Sequence, residues 1–343
     1  MPTKLTTTPP EPGTVLEVAP GLLWTRLPLP WSNIDHVNAY LIEDQGGWVA
    51  VDTGLDHAMC HEAWAAVLDR ALGGARLTRV LVTHFHSDHA DGAARLVQRD
   101  GAALLMNPAE HAHSMWMHSE SPELAAEIDA FHSRLGLPET ARQAALAAGR
   151  RIFRREVAVP AAFTPLVAGD TLEIGGRAFR VLTGGGHSVE QVMLHCPEQR
   201  VLLSADQVLP DIFPILQVYA QRPTADSLGA FLASLRALSA EIPEDTLTLP
   251  GHGIPFHGLH PRLRAQREHQ ARRCERVARA FAAGPGTLPE IMARVFPRHP
   301  DMMSLGLLGS DLLSLLNHLV TEGTIIRREG EDGVDVYAAA PVR

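Results

Sequence analysis

Apolar and polar residues along the chain fall into short alternating runs and longer stretches of helical spacing, arranged in blocks. From Thr14 onward, VLEVA, LLWTRLPL, NAYLIED and WVAVDTG read as strands, the last two meeting at a Gly-containing turn, DQGG. Residues 57–73 carry helical spacing and stop at Gly73-Gly74. LTRVLVT (77–83) reads as a buried strand, followed by a His/Asp-rich turn and the helix-like DGAARLVQRD. That places a polar cluster at a strand's C-terminal end, where open α/β sheets hold ligands.

Residues 108–160 differ. They are rich in Ala, Glu, Arg and His, bounded by Pro108 and Pro160, and predict two or three helices inserted into a sheet protein. A second strand series follows: TPLVAGDTLEI, RAFRVLTGGG, QVMLHC and RVLLSAD, with Gly175-Gly176 marking a hairpin between the first two. A helix over 225–240 and the strand TLTLP (246–250) complete this block. Two batches of strands with helices around them predict two packed sheets. Beyond Pro261, helices are expected over 262–283, 287–296 and 308–322, then a hairpin around Asp332-Gly333. That order resembles a winged-helix module. The expected organisation is a flexible tail (1–13), a catalytic domain (14–260) with the 108–160 insertion, and a C-terminal domain (261–343).

Length and composition narrow the class. A chain of 343 residues accommodates about two domains. Its formal charge of −9 argues against a surface coated for nucleic acid. Three cysteines exclude a disulfide scaffold and any Cys-rich zinc module. No apolar run reaches ~18 residues and the N-terminus has no apolar core, so a cytoplasmic protein away from membranes is expected. Eighteen histidines are many, so their placement comes next.

Thr83-His84-Phe85-His86-Ser87-Asp88-His89 packs three imidazoles and a carboxylate into one loop after a strand. Extended backbone puts His84 and His86 on one side, and the turn brings Asp88 and His89 round from another. One loop can thus serve two adjacent divalent ions. Imidazole and carboxylate suit Zn²⁺, with Fe or Mn also compatible. The remaining ligands must come from later loops. His187 after RVLTGGG, Asp206 after RVLLSA and His252 in Gly251-His252-Gly253 each sit where a strand opens into a loop. Singly, each is an ordinary loop residue; the ordered set gives them meaning.

The pattern His84-x-His86-x-Asp88-His89, His187, Asp206, His252, with Asp52-Thr53-Gly54 upstream, resembles the metallo-β-lactamase superfamily over residues 14–260. The resemblance implies an α/β (α+β) fold, an αββα sandwich with a dinuclear site at one edge. It assigns His84, His86 and His187 to one metal, Asp88, His89 and His252 to the other, and Asp206 to both. Asp52 would orient a ligand from behind. An activated water would attack an acyl or phosphoryl centre, with Asp88 orienting it and moving its proton. Three departures from the family pattern stand out. Gly186-His187-Ser188-Val189-Glu190-Gln191 replaces Gly-His-Thr-Pro-Gly, Ala205 replaces a Gly, and His86 stands where flavo-diiron relatives carry Glu.

The expected substrate is a small-molecule ester or thioester of the acyl-CoA or glutathione type. Single-stranded RNA is the runner-up, because the winged-helix tail resembles the β-lactamase-like protein 2 group. A lactonase and a mono-iron dioxygenase relative rank lower. Helix 262–279 carries seven arginines, yet residues 262–343 net only +2, so a solvated or bridging helix is favoured over a nucleic-acid surface. His257 and Trp116 are candidate substrate contacts, part of 108–160 is expected to cover the metals, and the C-terminal unit offers a place for two copies to pair.

Overall fold

The computed structural model describes residues 2–152, 159–296, 302–330 and 332–341. Parts of the expected 108–160 insertion (153–158) and C-terminal unit (297–301, 331, 342–343), with Met1, lie outside the described residues. In chain order the strands are β1 (Thr3–Lys4), β2 (Leu16–Ala19), β3 (Leu22–Pro28), β4 (His36–Asp44), β5 (Gly47–Val51), β6 (Leu77–Val82), β7 (Ala103–Met106) and β8 (Thr164–Pro165). They continue as β9 (Thr171–Ile174), β10 (Arg177–Gly184), β11 (Gln191–Cys196), β12 (Val201–Ala205), β13 (Leu247–Pro250), β14 (Phe256–His257), β15 (Gly286–Thr287), β16 (Ile325–Glu329) and β17 (Asp335–Ala339). The helices are α1 (Ala58–Ala65), α2 (Ser87–Ala90), α3 (Ala93–Asp100), α4 (Pro108–Met117), α5 (Pro122–Arg134), α6 (Glu139–Ile152), α7 (Ser227–Glu241), α8 (Leu259–Ala280), α9 (Leu288–Val295) and α10 (Met302–Thr321).

The first sheet runs β2-β3-β4-β5-β6-β7-β8, antiparallel as far as β5 and parallel beyond it. The second runs β1-β14-β13-β12-β11-β10-β9, with only β12 and β13 parallel. Strand alternation divides the residues between layers. Along β4, Val37, Ala39 and Leu41 join an outer core beneath α1 and α3, while Tyr40 and Ile42 join the core between the sheets. Along β12, Val201 and Leu203 face inward and Leu202 faces the core shared with α7 and α8. Both sheets are therefore covered on their outer faces, which is the αββα sandwich that the family resemblance implied.

The insertion forms three helices. Its α5, α6 and the turn between them contribute Phe131, Leu135, Leu137 and Ala141 to the same core as Leu312, Leu315 and Leu316 of α10. Arg134 Nε reaches both carboxylate oxygens of Asp335 at 3.1 Å. Their apolar faces are thus spent on the C-terminal helices, while α4 turns Glu110 toward the strand ends, where it meets Phe85 and Ser188. Helix α8 starts at Leu259, before the expected boundary, because Arg262 and Gln266 are buried against the sandwich. Past it come β15, α9, α10 and the β16–β17 hairpin, with sheet order β15-β17-β16.

The expected loose tail is partly ordered. Thr3–Lys4 pairs with β14, and Lys4 Nζ lies 3.0 Å from Asp211. The open edge of β14 presents unpaired backbone groups that even a Thr-rich segment can satisfy. Several other short strands escape a sequence reading: β7, β8, β14 and β15 span two to four residues each, too few to show alternation.

Candidate metal centre

Both sheets deliver chemistry-bearing residues from strand C-termini. Asp52 follows β5, His84 follows β6, Asp206 follows β12, and His252 follows β13 within two residues. The sheets are tied where these ends meet: Val192 N donates to Thr83 O at 2.8 Å and Asn38 N to Gly251 O at 2.7 Å. The buried Asn38 carboxamide and the Tyr40 hydroxyl both donate to Pro250 O at 2.8 Å, fixing the His252 loop.

All seven expected ligand residues are gathered there. Three overlapping groups, His84/His86/His187, His84/His89/Asp206 and Asp88/His89/His252, place one donor atom each within 4.8 Å of one another. In the first, His86 Nδ1 lies 3.0 Å from both His84 Nε2 and His187 Nε2. In the second half, His252 Nε2 lies 3.3 Å from Asp88 Oδ2 and 3.4 Å from Asp206 Oδ2. Asp206 Oδ2 is also 3.3 Å from His187 Nε2, so this carboxylate spans both halves.

The far nitrogen of every ring is held from behind. His84 Nδ1 is 3.0 Å from Thr83 Oγ1, which itself donates to Asp52 at 2.9 Å. His89 Nδ1 meets the same Asp52 oxygen at 2.7 Å, His187 Nδ1 meets Ile215 O at 2.9 Å, and His252 Nδ1 meets His36 O at 2.8 Å. His86 Nε2 lies 3.4 Å from the Gln217 carboxamide. With Nδ1 donating, His84 and His187 present lone pairs at Nε2, both aimed at His86 Nδ1. A single Nδ1–H on His86 can serve one of those lone pairs at a time, whereas a cation at that point would satisfy all three ring nitrogens together. His89 Nε2 and Asp206 Oδ1 are buried without a hydrogen-bond partner among the described residues. A Cβ on Gly251 would fall 2.1 Å from Asp206 Oδ1 and 2.9 Å from the His89 ring, so only glycine clears that space. The donor set of imidazoles, carboxylates and backed rings fits two divalent ions.

Electrostatics divide the site. Burial, then the neighbouring rings, pushes His84 and His86 well below the usual imidazole value. Burial also opposes charge on His89 and His252, but the carboxylates outweigh it; Asp206, Asp52 and Asp88 lift His89 well above normal. Asp206 and Asp88 likewise raise His252 to about 10. Burial would raise Asp88, yet His89 and His252 hold it at about 2.

Of the three non-glycine residues with positive φ among the described residues, two border the site and the third, Arg200, lies in the turn before β12. Asp52 has φ 63° and Ala205 φ 45°, each immediately at a strand end. The first aims its carboxylate back at Thr83 and His89; the second turns the chain so that Asp206 enters the site. Such strain gathers at functional positions.

Four contributors had no sequence signal. Glu110, fully buried on α4, accepts from Phe85 N at 3.0 Å, Ser188 Oγ at 2.6 Å and Glu190 N at 2.5 Å, joining the two ligand loops. In sequence it reads as an acidic first-turn residue behind the Asn107 cap. Gln191 Oε1 accepts from Asp206 N at 3.1 Å, so the unusual His187 loop is put to use. Gln217 and Tyr219 come from an irregular stretch between β12 and α7. The candidate substrate contacts fare differently. Trp116 packs on His113 (5.5 Å), which packs on Phe85 (4.3 Å) beside His86. His257 is exposed on β14 opposite Thr3 and makes no hydrogen bond or ring contact with the cluster among the described residues.

Residues 33–275 match the family model of the metallo-beta-lactamase superfamily. The chain belongs to that superfamily. A beta-lactamase domain protein from Burkholderia ambifaria superposes with a TM-score of 0.88 at 36% identity, covering 99% of this chain and 98% of that one. A metallo-beta-lactamase family protein from Thermus thermophilus gives 0.77 at 26% identity, covering 94% and 100%. A hydroxyacylglutathione hydrolase from Acidiphilium cryptum is 26% identical over 282 residues, 82% of this chain and 89% of that protein. Superfamily membership makes this chain a hydrolase, and no helix among the described residues is long and apolar enough to cross a membrane.

Proposed function

We propose that this metallo-beta-lactamase superfamily member is a dinuclear metal-dependent hydrolase of small-molecule thioesters or esters. The observation that carries the reading is the ring set: five histidines, each backed at one nitrogen, turn the other toward two buried carboxylates. His84, His86 and His187 would hold one ion, Asp88, His89 and His252 the other, and Asp206 both. Zinc is the first choice, with iron or manganese compatible. Two such ions supply an activated water and polarise the oxygen of the scissile group. Asp88, ionised at neutral pH, would orient that water and move its proton. The likeness to a hydroxyacylglutathione hydrolase supports a thioester over other acyl groups.

The C-terminal unit reads as winged-helix-like from its order of helix, strand, two helices and hairpin. It does not favour RNA. Helix α10, in the position of a recognition helix, contains no Lys or Arg and buries Leu312, Leu313, Leu315 and Leu316. On α8, Arg262 and Arg273 turn inward, Arg262 to the Leu209 and Ile212 carbonyls and Arg273 to Asp311.

The test is thiol release from S-lactoylglutathione and acyl-CoA by zinc-loaded protein, with single-stranded RNA as a parallel substrate and Asp206→Ala as control. Thioester turnover that falls roughly 10³-fold or more in the control supports the reading. RNA cleavage without thioester turnover replaces it.

A further inference from the structure

Between β12 and α7 the chain runs as a strap, residues 212–225, with no helix or strand of its own. Irregular buried backbone needs partners for its polar groups. Helix α10 provides them. Ser310 Oγ accepts from Val218 N at 2.8 Å and donates to Val218 O at 2.9 Å. Asp311 accepts from Leu216 N at 3.2 Å and is paired with Arg273 of α8. Asn317 Nδ2 donates to Pro223 O at 3.1 Å and to Ala225 O at 3.0 Å. On its other side the strap grips the His187 loop at three points. Ile215 O meets His187 Nδ1 at 2.9 Å, Gln217 N donates to Gly186 O at 3.0 Å, and Tyr219 Oη donates to His187 O at 3.2 Å. The Gln217 carboxamide lies against His86 Nε2. The amide nitrogen of Gln217 is the atom that faces His86 Nε2, at 3.4 Å. With an ion on Nδ1, Nε2 would carry the proton, and a half-turn of the amide would bring its oxygen round as acceptor.

We infer that α10 is a clamp for the site: through Ser310, Asp311 and Asn317 it fixes the strap, and the strap, with Gln217 as a positioning residue, orients His86 and His187 for one ion. This rests on the dinuclear reading above. It gives the C-terminal unit a task that involves neither nucleic acid nor a partner. It also assigns the far end of the chain to one half of the centre only, because His89 and His252 are backed by Asp52 and His36 instead. Partners behind metal ligands typically change affinity 10- to 100-fold when removed.

The test uses the full chain stripped of metal: wild type, Gln217→Ala, Gln217→Glu and the clamp variant Ser310→Ala/Asn317→Ala. Two quantities are read, amide exchange across residues 212–225, which needs no metal, and Zn²⁺ affinity by competition with a chromophoric chelator. The clamp variant is expected to exchange the strap faster and to bind one of two ions roughly 10- to 100-fold more weakly. Gln217→Ala should weaken the same ion with strap exchange unchanged, and Gln217→Glu, which accepts the same N–H, should recover it. Unchanged exchange in the clamp variant overturns the clamp. Faster exchange with wild-type affinity for both ions overturns the positioning role, even if the melting temperature falls. Wild-type protein that takes up no Zn²⁺ overturns the dinuclear reading and the positioning role with it, while the exchange arm still decides the clamp.

Discussion

The two sheets furnish the centre in different ways. The first sheet presents His84, His86, Asp88 and His89 from one strand–turn–helix of six residues, with a single buried carboxylate, Asp52, behind two of the rings. The second sheet presents His187, Asp206 and His252 from three separate loops, each steadied by something different: the strap, Gln191, and β4 with His36. A compact loop carries its own geometry. Dispersed candidate ligands depend on whatever packs behind them, and here the hydrogen bonds behind His187 run through the strap to α10.

Asp206 is where the two halves meet, so its removal should have the largest effect. Asp206→Ala is expected to cost roughly 10³-fold or more in turnover and to leave fewer than two ions bound, read by hydrolysis rate and metal content. Asp52→Asn tests the compact half. Asn tolerates positive φ, so the backbone should survive while His84 and His89 lose their shared anchor; metal affinity should fall about 10- to 100-fold in a chelator competition. An unchanged affinity would mean the loop needs no carboxylate behind it. Glu110→Gln tests the bridge between halves, since an amide turns one of the two acceptor oxygens into a donor facing either Phe85 N or Glu190 N; a loss of about 1–3 kcal/mol in denaturant unfolding is expected.

The pH response sharpens the comparison further. In metal-free protein His252 is raised from the usual 6.5 to about 10, so its stabilising proton is present below pH 6.5 and lost as pH rises through about 10. The melting temperature of metal-free protein should therefore fall across that window, and zinc should abolish the slope by taking the proton's place. The smallest effect is expected at Ala205, whose φ of 45° suits glycine. Ala205→Gly should relieve local strain and stabilise by about 0.5–1 kcal/mol in thermal unfolding, with turnover unchanged.

This difference between the halves also decides what was legible in sequence. His84 to His89 stands out because its chemistry is contiguous, and His187, Asp206 and His252 because each follows a recognisable strand. The two packed sheets followed from apolar runs whose alternation is local. Glu110, Gln217 and Ser310 carry no such signature. Glu110 looks like a helix-start acid, Gln217 sits in a stretch without periodicity, and Ser310 is one polar residue on an apolar helix. What gives them roles is contact across 78 to 131 positions of chain, which spacing cannot reveal. The N-terminal strand β1 escaped for a related reason: its partner, not its own sequence, makes it a strand.

The central claim is that this cluster is a two-ion centre. Zinc titration of metal-free protein, followed by calorimetry and by native mass spectrometry, addresses it directly. The account predicts two zinc ions per chain for wild type, and fewer for Asp206→Ala. Saturation of folded wild-type protein at one ion, or at none, would contradict it.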